Sequence, residues 1–310
     1  MKRYASFGLP ALLLTVTLVL ASCGGAGSGG DMRGMDHGGM TGAETTGGMA
    51  GMGHGSEGMR GMNMETVDPE TAGVRVKWSS EPAAPQPGGS VVLRYQVSDA
   101  QSGQELTDLP IDHERPMHLI TVRKDLTEFQ HIHPELDDGA YSVTTEFPES
   151  GTYALYDEFV RDGQKVLDRR ELLVGEASGT DTSLAPDLSP KIADSLTVSL
   201  SAPQTIKAGQ EASFTFLVMR GERSVTDLEP YLGAAAHVAI VSADTNDFAH
   251  VHGEAGEGHE GMAMDDSPPS AFGPEVSFHH TFPRPGLYKI WGQFGYEGDV
   301  ITVPFVVEVR

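Results

Sequence analysis

The chain has one cysteine, Cys23, among 310 residues, which excludes an internal disulfide and a thiolate-bound zinc cluster. Basic residues are scarce too, 21 against 44 acidic, for a formal charge of −23. So acidic a surface is a poor match for nucleic acid or anionic lipid, and neither is an expected partner. No Ser-His-Asp arrangement, phosphate loop or dinucleotide fingerprint stands out, and the expectation is a protein that is not an enzyme. No long amphipathic stretch argues for a helix. The apolar run Leu9–Leu20 is shorter than the ~20 residues of a membrane-spanning helix.

That run has another reading. Met1-Lys2-Arg3 precedes it, and Leu20-Ala21-Ser22-Cys23 follows, the layout of a secretory signal with small residues before a cut site. The tetrad looks like a lipobox, the sequence at which bacterial lipoprotein signals are cut and the cysteine lipidated. Residues 1–22 are therefore expected to be the signal peptide and Cys23 the lipidated residue. Membrane attachment then comes through acyl chains, each buried CH₂ contributing about 0.8 kcal/mol. The expected location is extracytoplasmic, lipid-anchored to the cell envelope. Cutting there removes Lys2 and Arg3, leaving 19 basic and 44 acidic groups, a formal charge of −25.

Residues 23–66 carry the lipidated cysteine and a Gly-rich tether with almost no apolar periodicity, a composition expected to be disordered. Methionine is ordinarily a core residue, yet eight occur here: Met32, Met35, Met40, Met49, Met52, Met59, Met62 and Met64. His37 and His54 sit among them, beside Met35, Met40 and Met52. Thioethers select Cu(I) over harder ions, so the tether is a candidate copper ligand set. A merely flexible spacer is the plain alternative.

From Val74 the texture changes to short alternating strands broken by Pro and Gly, and an internal repeat appears. Leu106-Thr107-Asp108-Leu109, Met117-His118-Leu119-Ile120 and Phe129-Gln130-His131-Ile132-His133 return 119 residues later. The second versions are Val225-Thr226-Asp227-Leu228, Ala236-His237-Val238-Ala239 and Phe248-Ala249-His250-Val251-His252. Phe147-Pro148 answers Phe282-Pro283 at an offset of 135, so the second copy has a 16-residue insertion after His252. The predicted fold is all-β: two tandem immunoglobulin-like β-sandwich domains at 67–175 and 194–310, joined by a linker at 176–193.

Side chains alternate along a strand, so His131 and His133 face one way, and a hairpin turning near residue 125 brings His118 beside them. The second copy repeats this with His237, His250 and His252. Three imidazoles on one face suit Cu²⁺ or Zn²⁺. Histidines that merely fix an ancestral hairpin are the structural alternative, since duplication copies both kinds. Weaker candidates are His259, Met262 and Met264 in the insertion, and His280 on a later strand. His113, with no counterpart in the second copy, reads as a loop residue, and Met117 as core filling. Imidazoles bind metal only when neutral, so occupancy is expected to fall as pH drops through about 6.5.

The pattern Met-His-Leu-Ile … Phe-Gln-His-Ile-His-Pro, repeated as Ala-His-Val-Ala-Ile … Phe-Ala-His-Val-His, resembles bacterial secreted proteins with YtkA-like or FixH-like β-sandwich domains. The resemblance covers about residues 74–175 and 194–310. It implies an immunoglobulin-like fold and an extracytoplasmic location, in a group sometimes associated with copper or heavy-metal handling. The functional expectation is a copper-binding lipoprotein that captures, buffers or delivers Cu(I) or Cu(II), with zinc as the alternative metal. Its expected partners are the metal ion, the membrane, and copper-exporting or copper-accepting envelope proteins. An envelope scaffold or adhesion module with structural histidines is the alternative. The chain lacks the Cys-His-Met arrangement of a type 1 electron-transfer site.

Overall fold

A computed structural model describes residues 66–177, 184–255 and 270–310. These residues form seventeen β-strands and no helix. In the first repeat the strands are β1 (Val74–Glu81), β2 (Ser90–Asp99), β3 (His118–Arg123), β4 (Phe129–Ile132), β5 (Glu135–Asp137), β6 (Ala140–Glu146), β7 (Gly151–Arg161) and β8 (Gln164–Val174). They make two four-stranded antiparallel sheets, ordered β1-β2-β6-β5 and β4-β3-β7-β8. Along β2, Val91, Leu93, Tyr95 and Val97 are buried alternately, as the two-residue period of a half-covered strand requires. They meet Leu119, Tyr153, Leu155 and Met117 from the other sheet in the first core. Met117 is core filling.

The second repeat has β9 (Lys191–Ala193), β10 (Leu196–Ser201), β11 (Glu211–Arg220), β12 (Arg223–Ser224), β13 (Ala236–Ser242), β14 (Phe248–Ala255), β15 (Glu275–Thr281), β16 (Gly286–Tyr296) and β17 (Asp299–Val309). Here the two sheets join into one hydrogen-bonded path, β17-β16-β13-β14-β15-β11-β10-β9, with β12 on β11. The cause lies in one pair of equivalent residues. Pro134 has no N–H to give a ladder and separates β4 from β5. Gly253 stands at the same place in the second repeat, and β14 continues through it to pair with both β13 and β15. A Cβ at Gly253 would lie 2.5 Å from Val276 Cγ1 and 2.9 Å from Ala236 Cβ, so only glycine permits that crossing.

The long hairpins that close each repeat turn on equivalent pairs. Asp162-Gly163 links β7 to β8 with φ of +49° and +78°, and Glu297-Gly298 links β16 to β17 with +52° and +84°. Left-handed geometry at both central residues matches the right-handed twist of the flanking strands.

Tandem domains need not touch, but these two share a buried face. Every residue of β13, and all of β3 up to Val122, is buried, which means that both faces of those strands are covered. Inner side chains enter the core of their own repeat. The outer ones, Ile120, Val122, Ala154 and Tyr156, pack on Ala239, Val241 and Trp291 of the other repeat. Two aromatic stacks brace this face: Phe129 on Trp291 at 4.9 Å and Tyr156 on Phe248 at 4.3 Å. The offsets of 119 and 135 convert one stack into the other, so the repeats meet about a pseudo-twofold axis. The turn carbonyls follow the same rule. Lys289 Nζ donates to Leu126 O at 2.6 Å, and Tyr156 Oη donates to the equivalent Thr245 O at 2.7 Å.

Candidate metal centre

Beyond the aromatic stacks, the same interface gathers histidines. In the second repeat His237 lies directly across from His252 in the β13–β14 ladder, and Ala239 across from His250. In the first, Ile120 lies across from His131, so His118 is diagonal to it. The six repeated histidines thus point out of both sandwiches into one shared layer. His131 and His250 ring centroids are 4.8 Å apart across the interface, and His118 and His250 are 5.3 Å apart.

A further ring joins them. The segments Asp112–Arg115 and Tyr231–Ala234 are equivalent tight turns, each closed by a backbone pair. In the second repeat the central residues are Leu232 and Gly233 (φ +48° and +74°). In the first they are His113 and Glu114, at +45° and +66°. Two consecutive non-glycine residues in this region are costly, and such strain concentrates at functional sites. The turn carries His113 across the interface, where its ring stacks on His252 with centroids 3.4 Å apart and meets His237 edge-on at 5.5 Å.

Three triads have nitrogen atoms all within 4.8 Å of one another: His118/His131/His133, His131/His237/His250 and His113/His237/His252. Histidine triads within metal-binding distance are therefore present. The first matches the sequence expectation. In the second repeat the expected trio of His237, His250 and His252 is divided between two triads, because His131 and His113 enter from the first repeat. His113 is a loop residue, as its sequence context suggested, but it belongs to the cluster.

Hydrogen bonds at the far side of each ring set which nitrogen is free. His118 Nε2 lies 2.9 Å from the carbonyl O of Asp112, which can only accept, so Nε2 carries the proton and Nδ1 keeps its lone pair. Asp112 is itself held by Lys165 at 3.3 Å. His131 Nδ1 lies 2.8 Å from Gln293 Oε1, whose amide nitrogen donates to Thr302 Oγ1 at 3.1 Å, so His131 presents an unprotonated Nε2. These two lone pairs face each other at 3.1 Å, and His133 Nε2 stands 3.2 Å from His131 Nε2. With ligands 2.0–2.1 Å from a tetrahedral ion, neighbouring nitrogens lie about 3.3 Å apart. Outer groups that hold ligand histidines by the opposite nitrogen are the usual support of a metal site.

Glu158 is the equivalent of Gln293, and its Oε2 is 2.8 Å from His250 Nδ1. Burial raises the Glu158 carboxyl to about 7, with Lys165 opposing and Asp112 adding to the rise. Burial pushes every cluster histidine the other way. His118 falls to about 4, His131 to about 3, and His133 and His252 to about 2, with neighbouring histidines deepening the fall. His237 and His250 lie well below the ordinary range for the same reasons, and His113 is also lowered by burial. The rings are held neutral, the protonation state that binds metal.

Other candidates fall elsewhere. His280 packs edge-on against Phe282 at 4.6 Å and lines a cavity of about 220 Å³ with Tyr288, Phe248 and Leu167; among the described residues it belongs to no triad. His279 accepts or donates at 2.9 Å with Ser213 Oγ. Cys23, Met35, His37, Met40, Met52, His54, His259, Met262 and Met264 lie outside the described residues. Glu158, Gln293 and His113 were missed in the sequence. A carboxyl and an amide at one repeat position were the available signal for the first two. His113 had none in the repeat comparison, since residue 232 is leucine.

The family described as Domain of unknown function (DUF8832) matches residues 66–172 and 191–310. No curated protein matches the chain. Among solved structures, a mutant of Salmonella alpha-2-macroglobulin is 12% identical, with 80% of this chain and 15% of that one covered and a TM-score of 0.25. Trypsin-activated alpha-2-macroglobulin from Escherichia coli is 11% identical over 80% of this chain and 16% of that one, with a TM-score of 0.24. The Yersinia pseudotuberculosis adhesin InvE is 12% identical over 80% and 61%, with a TM-score of 0.23. The chain thus spans about a sixth of the macroglobulins it resembles.

Proposed function

The chain belongs to the DUF8832 family in both of its repeats, and we propose that it is a copper-binding lipoprotein of the cell envelope. It captures or buffers copper outside the cytoplasm and hands it to an envelope acceptor or exporter. The observation that carries this reading is the convergence of lone pairs from His118 Nδ1 and His131 Nε2 at 3.1 Å, with His133 Nε2 beside them. Two neutral rings locked by Asp112 and Gln293 with their acceptor nitrogens face to face repel each other unless a cation sits between them. Borderline nitrogen donors suit Cu²⁺ and Zn²⁺ alike. The Met-rich segment between Met32 and Met64, and Met262 and Met264 in the insertion that follows His252 in sequence, favour copper because thioethers take Cu(I). Cys23 supplies the anchor that keeps the chain in the envelope.

The test is titration of the full chain with copper and zinc, beside a variant carrying His131→Ala and His133→Ala. The double variant is expected to bind less copper while keeping its β-sheet circular dichroism. Unchanged copper stoichiometry in a folded double variant overturns the assignment.

A further inference from the structure

The three triads cannot all be filled, because adjacent triads share a histidine. His131 belongs to the first and the central one, His237 to the central one and the third. Only His118/His131/His133 and His113/His237/His252 draw on separate residues. His250 is then the one ring of the cluster that ligates nothing.

Hydrogen bonding favours that division. Glu158 Oε2, 2.8 Å from His250 Nδ1, accepts the proton that this nitrogen carries. His250 Nε2 is therefore an acceptor, and it lies 3.0 Å from His237 Nδ1. A proton on His237 Nδ1 satisfies that contact and leaves the lone pair on His237 Nε2. Among the described residues this buried Nε2 has no hydrogen-bond partner, and neither has the buried Nε2 of His252. Both residues belong to the triad that His113 completes. The opposite choice, His237 ligating through Nδ1 in the central triad, strands a buried N–H on Nε2 with no acceptor.

We propose that the second metal site is His113/His237/His252, built from both repeats, and that His250 is a positioning residue which, backed by Glu158, turns the His237 lone pair toward the ion. This rests on the copper reading above. The two sites are then not copies of each other. His118 and His237 are the same repeat position, yet the first offers Nδ1 and the second Nε2, because Asp112 O binds His118 where no acceptor meets His237 Nε2. His113 already places a ring nitrogen within 4.8 Å of those of His237 and His252. The second repeat has the same left-handed turn at Leu232-Gly233, so what the first repeat adds at that place is the His113 ring.

The experiment is equilibrium dialysis of the full chain against Cu²⁺, comparing wild type with His113→Asn, His250→Ala, His250→Gln and the His131/His133 double variant, each checked for a cooperative melt. Asparagine tolerates the positive φ at position 113 and is a poor copper ligand. His113→Asn is expected to bind one copper fewer than wild type. His250→Ala is expected to keep the wild-type count with the second site weakened ~10-fold or more, in the range seen when outer-shell partners are lost. His250→Gln restores an acceptor near His237 Nδ1 and is expected to recover most of that affinity. A full count in His113→Asn, or loss of one copper in both His250 variants, overturns the site while leaving the copper reading intact if the double variant still loses metal. Unchanged uptake in His113→Asn and the double variant together overturns both.

Discussion

Glu158 and Gln293 occupy one position in the two repeats, and each crosses the interface to hold the middle histidine of the other repeat, at 2.8 Å in both cases. One bond is made by a carboxyl, the other by an amide. A pseudo-symmetric clasp is thereby made electrostatically lopsided, with an ionisable group on the His250 side alone. Glu158→Gln makes the halves alike. Burial raises this carboxyl from 4.5 to about 7, so the folded state holds its proton more tightly than the unfolded state. That group's contribution falls as pH rises from about 4.5 to 7, by at most about 1.4 kcal/mol per pH unit. The glutamine variant is expected to gain stability relative to wild type at pH 8 and little at pH 4.5, read as melting temperature in chelator. An equal effect at both values would show that the carboxyl is not titrating there.

The histidines pull in the opposite direction and outnumber it. Each is neutral in the fold and takes a proton in the unfolded chain below about 6.5, so the unfolded state binds more protons and the metal-free protein weakens as pH falls. Melting temperature in chelator is expected to drop steadily from pH 7 to pH 5. A flat profile would mean that the rings are exposed.

Metal retention follows from the same shifts. From the ordinary imidazole range, release near pH 6.5 is the expectation. With His118 held down to about 4 and His131 to about 3, protons compete for the ligand nitrogens only well below that. Copper is expected to stay bound at pH 5.5 as long as the fold survives, measured by dialysis with circular dichroism on the same samples. Release between pH 7 and 6 from still-folded protein contradicts the buried, neutral cluster.

The interface itself is testable at Trp291, which stacks on Phe129 and is buried. Trp291→Ala removes a large side chain from the shared layer, a truncation that costs about 3–5 kcal/mol in a core. Unfolding in urea is expected to separate into two transitions as the repeats uncouple, and copper uptake to fall with the first. A single transition of unchanged midpoint would deny the interface its role.

Gly253→Ala forces a methyl to within 2.5 Å of Val276 Cγ1. Overpacking of this kind costs about 1–3 kcal/mol, and here it also displaces the neighbouring His252. The variant is expected to melt earlier and to bind copper more weakly at the His252 site than at His131. Pro134→Ala, at the equivalent place, is expected to do neither.

The sheet content and the duplication were legible because both leave local marks: the two-residue period of Val91 to Val97, the Asp162-Gly163 and Glu297-Gly298 turns, and the recurring His-X-His. The first triad was legible for the same reason, since His118, His131 and His133 sit on one hairpin. The third was not. Its members come from a turn of one repeat and a hairpin of the other, and only packing of Ile120, Tyr156, Ala239 and Trp291 brings them together. The unbroken apolar run through Val238, Ala239, Ile240 and Val241 was the trace of that packing, for a strand covered on one side alone would alternate. Nothing local distinguishes His237, which faces two triads, from His118, which faces one. That difference lies in the backbone carbonyl of Asp112.

The exchange of Pro134 for Gly253 also divides the mechanical burden unequally. In the second repeat the β14–β15 bonds lace the two sheets together, so its layers cannot part without breaking backbone hydrogen bonds. In the first repeat no strand ladder crosses the corresponding seam, and its layers are joined by packing and by isolated hydrogen bonds such as Gln130 Nε2 to Glu146 O at 2.7 Å and Arg170 Nη2 to Val76 O at 3.1 Å. With fewer backbone bonds across its seam the first repeat is expected to open sooner on heating, and it carries His113, His118, His131 and His133. The laced half keeps its shape but is left with too few rings to grip an ion, so the cluster fails at its looser side first.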